Sequence, residues 1–164
     1  MGQTLKAWKA PAVTTLYRRP GFLLRRAHQL SVGLFENECQ SLKLTPPQFG
    51  VLHMLMHSQA LDQARLARAL GLDKVTVLHV VRGLETRGWL TRQASTTDRR
   101  KWTIEVSASG QEAFAQAQHL AQQASDRLLS PLSQDEQEAL THLLEKLCQG
   151  LESEARTPFE PGQA

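Results

Sequence analysis

Cysteine is scarce. The 164 residues hold only Cys39 and Cys148, far apart and without a CxxC spacing, which argues against a disulfide framework and against a cysteine zinc site. Long apolar runs are missing as well. No stretch approaches the roughly 18 uncharged apolar residues of a membrane-spanning helix, and residues 1–20 lack the apolar run of a secretory signal, so no membrane partner and a cytoplasmic location are expected. The chain also lacks a Gly-rich phosphate loop, a nucleophile elbow and paired carboxylates beside an apolar stretch, so neither an enzyme nor a bound cofactor is expected.

What is present is an uneven distribution of charge. The net charge is +3, yet residues 65–102 carry nine Lys/Arg against three Asp/Glu, and residues 105–164 carry three against ten. A basic middle and an acidic tail suit a protein that shows one face to a polyanion and turns the other away. A solvated face of mixed charge would give the same count.

The periodicity of apolar residues outlines the chain. Residues 1–20, with Pro11 and Pro20 and no clear period, read as a flexible arm. Leu23, Leu24, Ala27, Leu30, Leu34 and Phe35 recur at steps of three and four and predict a helix over about 21–41. Thr45-Pro-Pro-Gln48 supplies a capping box and a proline in the first turn for a second helix reaching about Ser58. Asp62 caps a short helix, 63–70, closed by Gly71; Asp73 opens another, 74–87, closed by Gly88. Two short helices joined by a glycine turn form a helix-turn-helix. Residues 89–94 and 101–106 then read as two strands around a basic tip, a wing. Ser109 to Glu112 and Ser133 to Glu136 are two further capping boxes, each opening a helix with one apolar stripe.

The expected fold is mainly α with a small β-hairpin wing: a winged helix-turn-helix lobe over 43–108, N- and C-terminal dimerisation helices over 21–42 and 109–151, and a loose tail over 152–164. The outer helices carry apolar stripes that the lobe cannot cover, which points to a second copy of the chain.

The stretch LDKVTVLHVVRGLETRGWLTR, from Leu72 to Arg92, and DRRKWTIEVSASG, from Asp98 to Gly110, together resemble the MarR family. The similarity covers roughly 22–147, and its most specific pieces are Asp98 and Arg100 in the wing and the helix end Leu84-Glu85-x-x-Gly88 followed by a strand. It implies a homodimer whose chain ends form the base, and repression relieved by a small, often phenolic or aromatic, ligand. It also implies that Arg100 enters a DNA groove with Asp98 orienting it. The family's recognition helix is usually richer in Ser, Thr and Arg, so the base sequence read here cannot be transferred from relatives. Ala108 stands where a leucine is usual.

Helical spacing turns Lys74, Val75, Leu78, His79 and Arg82 outward and sets Thr76 near the helix start, where base edges are met. Lys74 and Arg82 can neutralise phosphates, Thr76 can bond phosphate or base, Val75 and Leu78 can touch a thymine methyl, and His79 can donate to guanine. Arg99, Arg100 and Lys101 crowd the wing tip, where a narrow minor groove attracts cations. A dimer would set two such helices roughly 34–36 Å apart and read a pseudo-palindromic operator on double-stranded DNA.

Arg26, His28 and Phe35 could serve an anionic aromatic effector, or could simply rim the dimer interface. His53 and His57 are spaced for one metal, but no third ligand is evident and no metal is expected. Cys39 lies near a helix C-terminus, where the dipole disfavours a thiolate. A ligand-independent architectural DNA-binding protein is the alternative to a ligand-released repressor.

Overall fold

A computed structural model describes residues 13–58, 61–94 and 102–161 of the chain. The wing-tip residues Asp98, Arg99, Arg100 and Lys101, most of the N-terminal arm and the last three residues lie outside the described residues. Helices α1 (Val13–Tyr17), α2 (Pro20–Glu38), α3 (Pro46–His57), α4 (Gln63–Leu70) and α5 (Lys74–Thr86) precede a hairpin of β1 (Leu90–Ala94) and β2 (Trp102–Val106). Two long helices follow, α6 (Ala108–Leu129) and α7 (Gln134–Gly150), with short 3-10 turns at Gln40–Leu42 and Glu152–Glu154. This is the helical, winged architecture expected from the sequence.

Local chemistry accounts for most helix boundaries. Pro20 starts α2 because its missing amide hydrogen would have no partner in a first turn. The Gln48 side chain accepts from the Thr45 N–H at 3.1 Å, the return half of the capping box that opens α3. Asp62 accepts from the Arg65 N–H at 2.8 Å and Asp73 from the Thr76 N–H at 2.9 Å, so each helix of the helix-turn-helix begins on a carboxylate. Between them Gly71 has φ +60°, a left-handed conformation that costs a side chain energy, and its N–H closes the end of α4.

These helices pack around one core. Leu52 of α3, Leu66 of α4, and Val77, Val81 and Leu84 of α5 are fully buried, and Ile104 of β2 joins them while pairing in register with Arg92. The hairpin is antiparallel, from Leu90 opposite Val106 to Ala94 opposite Trp102. Phe35 and Cys39 connect α2 to this core, and Phe114 and Ala117 connect α6. By contrast α7 buries no residue within the chain, and Leu143, Leu144 and Leu147 are exposed along it with Leu151 just past its end, as are Leu23, Leu24 and Leu30 on α2.

Three expectations need correction. The arm over 1–20 is not wholly without structure, since α1 forms within it and α2 begins at Pro20; the Tyr17 and Phe22 rings meet edge to face with centroids 5.1 Å apart. The expected cap Ser109 is not the cap of α6. Ser107 takes that role, accepting from the Gly110 N–H at 3.1 Å, while both serine hydroxyls donate to the Gly88 carbonyl. The helix therefore starts two residues early, because the turn at Gly88 offers an acceptor that sequence spacing does not display. Finally, the tail over 152–164 is not loose throughout: Thr157, Phe159 and Glu160 return to the turn at Gly71.

Candidate nucleic-acid interface

Helix α5 has two faces. Val77, Val81 and Leu84 are buried and seat it on the core, and Lys74, Val75, His79 and Arg82 stand exposed. Val75 is 62% exposed. Leu78 was expected outward and is half-buried, because it lies at the edge of the buried stripe; Val80 is half-buried likewise. Thr76 is half-buried, and its hydroxyl donates to Asp73 at 2.6 Å. Its hydrogen is therefore engaged in the cap, and only its oxygen lone pairs remain for a DNA group. These hydrogen bonds from Thr76 hold the Asp73 carboxyl below its ordinary value, so Asp73 stays charged at the helix start.

The wing is fastened to α5 at its base. Arg92 of β1 pairs with Glu85 of α5 at 2.6 Å, and Gln93 donates to Glu105 across the hairpin at 3.2 Å. Such ties fix the angle between the helix and the wing. Arg87, which sequence reasoning missed, ties the same region to the other side. Its guanidinium lies 3.5 Å from the centre of the Trp89 ring and donates to the carbonyls of Leu42 and Lys43. No local pattern signals a contact between residues more than forty positions apart.

The three effector candidates are not alike in the structure. Arg26 and His28 are exposed on α2, whereas Phe35 is buried with its ring 5.6 Å from that of Phe49. Nine residues of helix also separate Arg26 from Phe35 by about half a turn, so the two point apart. Phe35 lies in the core, as its place in the apolar stripe of α2 implies, because α2 meets α3 on that face. A second group is the histidine pair considered above only for a metal. His53 and His57 are exposed on α3, with rings stacked 4.4 Å apart, and both meet the Phe114 ring edge-on at 5.7 and 5.9 Å. Burial, and then the neighbouring His57, hold the His53 imidazole below its ordinary value. Cys39 is fully buried, and burial followed by Glu38 pushes its thiol up, which makes a poor nucleophile. Among the described residues no three His, Cys, Asp or Glu side chains gather as a metal site, and no helix is long and apolar enough to cross a membrane.

This geometry can be set beside known proteins. The MarR family profile matches residues 44–102, the span from the start of α3 to the second wing strand. The HTH-type transcriptional repressor NicR of Pseudomonas putida is 30% identical over 141 residues, covering 84% of this chain and 89% of NicR. Among solved structures, Bordetella bronchiseptica BpsR, described for regulation of its DNA binding by 6-hydroxynicotinic acid, is similar with TM-score 0.75 and 30% identity over 80% of this chain and 94% of BpsR. The repressor CouR, solved on a 23-mer DNA duplex, is similar with TM-score 0.78 and 28% identity over 85% of this chain and 99% of CouR. With its capped helix-turn-helix, its tethered wing and a likeness to NicR that runs nearly end to end, the chain belongs to the MarR family of transcriptional regulators.

Proposed function

We propose that this protein is a cytoplasmic homodimeric repressor that grips operator DNA with α5 in the major groove and its wing in the minor groove, and that a small aromatic acid releases it. The observation that carries this reading is the exposed row Lys74, Val75, His79 and Arg82 on a helix whose opposite face is fully buried. Lys74 and Arg82 meet phosphates, Val75 and the edge of Leu78 meet base methyl groups, His79 meets a base edge, and Thr76 accepts at the helix start. The family resemblance adds Asp98, Arg99, Arg100 and Lys101 to the DNA contacts, with Arg100 in the groove and Asp98 orienting it. The protein acts by binding alone, and no catalytic step is assigned to it.

The aromatic effector is supported by BpsR, whose DNA binding is regulated by 6-hydroxynicotinic acid, and by the chemistry of α3. His53 offers an imidazole beside the Phe114 ring, and His57, whose Nδ1 donates to the His53 carbonyl at 2.8 Å, offers Nε2 as a donor once protonated, a pairing of donor and aromatic ring that suits an aromatic carboxylate. Arg26 and His28 supply further exposed donors on α2.

The test is fluorescence anisotropy with DNA recovered from a random library. A pseudo-palindrome should be selected, and affinity should fall about 10³ to 10⁵-fold between 50 and 200 mM salt if six to ten phosphates are met. Failure to select any motif, or a flat salt response, would refute the reading. 6-Hydroxynicotinic acid and related aromatic acids are then titrated into the complex, and release by none of them would remove the effector part alone.

A further inference from the structure

The chain beyond α7 returns across the molecule to the helix-turn-helix. The Thr157 hydroxyl donates to the Gly71 carbonyl at 2.7 Å, and the Glu160 N–H donates to the Arg68 carbonyl at 3.0 Å. The Phe159 ring covers Gly71, where an added Cβ would lie 3.7 Å from both Cβ and Cδ2 of Phe159. The middle of the same segment is tied back to the turn after α7, since the Phe159 N–H donates to the Glu152 carboxylate at 2.9 Å. Glu160 also pairs with Arg68 at 2.9 Å, but both groups are well exposed, so this pair adds little and the neutral contacts dominate.

The two elements that this segment joins differ in what holds them. Arg68 and Gly71 belong to the end of α4 and the turn that delivers α5, three residues before Lys74. α7 buries nothing within its own chain and carries a stripe of exposed leucines, so it is held by whatever covers that stripe. We infer that Thr157–Glu160 is a strap that couples the dimer-forming helix to the helix-turn-helix and so holds the two recognition helices of the dimer at one separation. A lobe joined to the base without the strap samples more orientations. Only a fraction of these fits two half-sites, and apparent affinity falls in proportion to that fraction. The consequence for DNA rests on the proposed role of α5, whereas the spacing itself does not.

The experiment measures the spacing without DNA. Spin labels are placed at Thr86→Cys, on the exposed end of α5, with Cys148→Ser to remove the exposed native thiol, and pulsed electron resonance reads the distance between the two labels of the dimer. The full chain should give one narrow distribution at low and high salt alike. A chain ending at Arg156, and the double variant Thr157→Val with Phe159→Ala, should at least double its width; the point variants keep the test if truncation prevents folding. Phe159→Tyr, which keeps a ring on Gly71, should stay narrow. On DNA carrying two half-sites the strapless forms should bind about tenfold more weakly with an unchanged salt slope. An unchanged width in the Thr157→Val, Phe159→Ala dimer would overturn the inference, as would equal broadening by Phe159→Tyr. DNA binding lost in every form with the widths as expected would count against the role of α5 and not against the strap.

Discussion

The guanidinium of Arg87 stacks on the Trp89 ring at 3.5 Å and, from the same position, donates to the carbonyls of Leu42 and Lys43. One side chain thus connects the end of α5, the start of the wing and the turn that follows α2. The planar fork of arginine is needed for stacking and donation together, which an ammonium cannot reproduce. Arg87→Ala should lower unfolding stability by about 1–2 kcal/mol, and Arg87→Lys should recover less than half of the loss. Urea unfolding of the three proteins measures both, and equal stability of the lysine form would mean that charge alone matters.

Gly110 is required for a reason of space. A Cβ there would sit 2.2 Å from the Trp89 carbonyl oxygen and 2.8 Å from Val106 Cγ1. The first contact is with backbone, which cannot rotate away, so α6 must shift from the hairpin. Gly110→Ala should cost about 2–3 kcal/mol although alanine favours helices, and thermal unfolding should show a lower midpoint. Gly83 of α5, whose Cβ would lie 3.6 Å from the Gln48 side chain, an ordinary contact, is the control: alanine there should be neutral or stabilising.

These two residues show which parts of the fold were legible in the sequence. Thr45 with Gln48, Asp62, Asp73, and Ser133 with Glu136 could be read because a cap acts within one turn of itself, and all four open helices where expected. The stripe Val77, Val81 and Leu84 was legible through its period. Ser107 and Ser109 are the same residue type two positions apart, and the choice between them depends on Gly88, about twenty residues away. The strap failed for the same reason at longer range. Thr157 finds its acceptor 86 positions back, and two prolines and a glycine near the chain end suggest only looseness. In the candidate site the exposed face of α5 and the buried Phe35 followed from helical spacing, while Leu78 at the edge of α5 was decided by neighbouring elements.

Asp73 makes the helix-turn-helix sensitive to acid. Its carboxyl lies below its ordinary value because Thr76 donates to it through both hydroxyl and backbone, so the folded form holds the charged state more tightly than the unfolded chain does. The resulting stabilisation is complete above the unfolded value of about 3.9 and disappears as pH falls through the lower folded value. Asp73→Ala should therefore lower the melting temperature at pH 7 and make less difference at pH 3. A gap between the two proteins that widens on acidification would contradict this.

His53 acts in a higher pH range. Its imidazole is held below its ordinary value by burial and by His57, so between that ordinary value, about 6.5, and the lower folded value the unfolded chain binds more protons than the folded one. Stability then rises with pH across this window and falls on acidification. His53→Gln should flatten the melting temperature between pH 5 and 7 relative to the parent. An effector carboxylate docked against the two imidazoles would favour their protonated forms, so binding of an aromatic acid should strengthen over the same fall in pH, and calorimetric titration at pH 5.5 and 7.5 reads that difference.

The dimer is tested where the leucines of α7 stand free. Leu143 is 62% and Leu147 44% exposed in the single chain, one turn apart on the same stripe as Leu140 and Leu144. Full burial of one such side chain contributes about 1.5–3 kcal/mol, and across a two-fold axis each substitution acts twice. Leu143→Asp with Leu147→Asp would place four carboxylates among the leucines of the interface. Sedimentation should find the variant as a monomer, and the helices of the lobe should persist, because no residue of α7 is part of their core. Binding to DNA with two half-sites should fall at least about a hundredfold, since the second half-site contact becomes an independent event, whereas binding to a single half-site should change little. A variant that stays dimeric would move the interface away from α7, and with it the anchor that the strap requires.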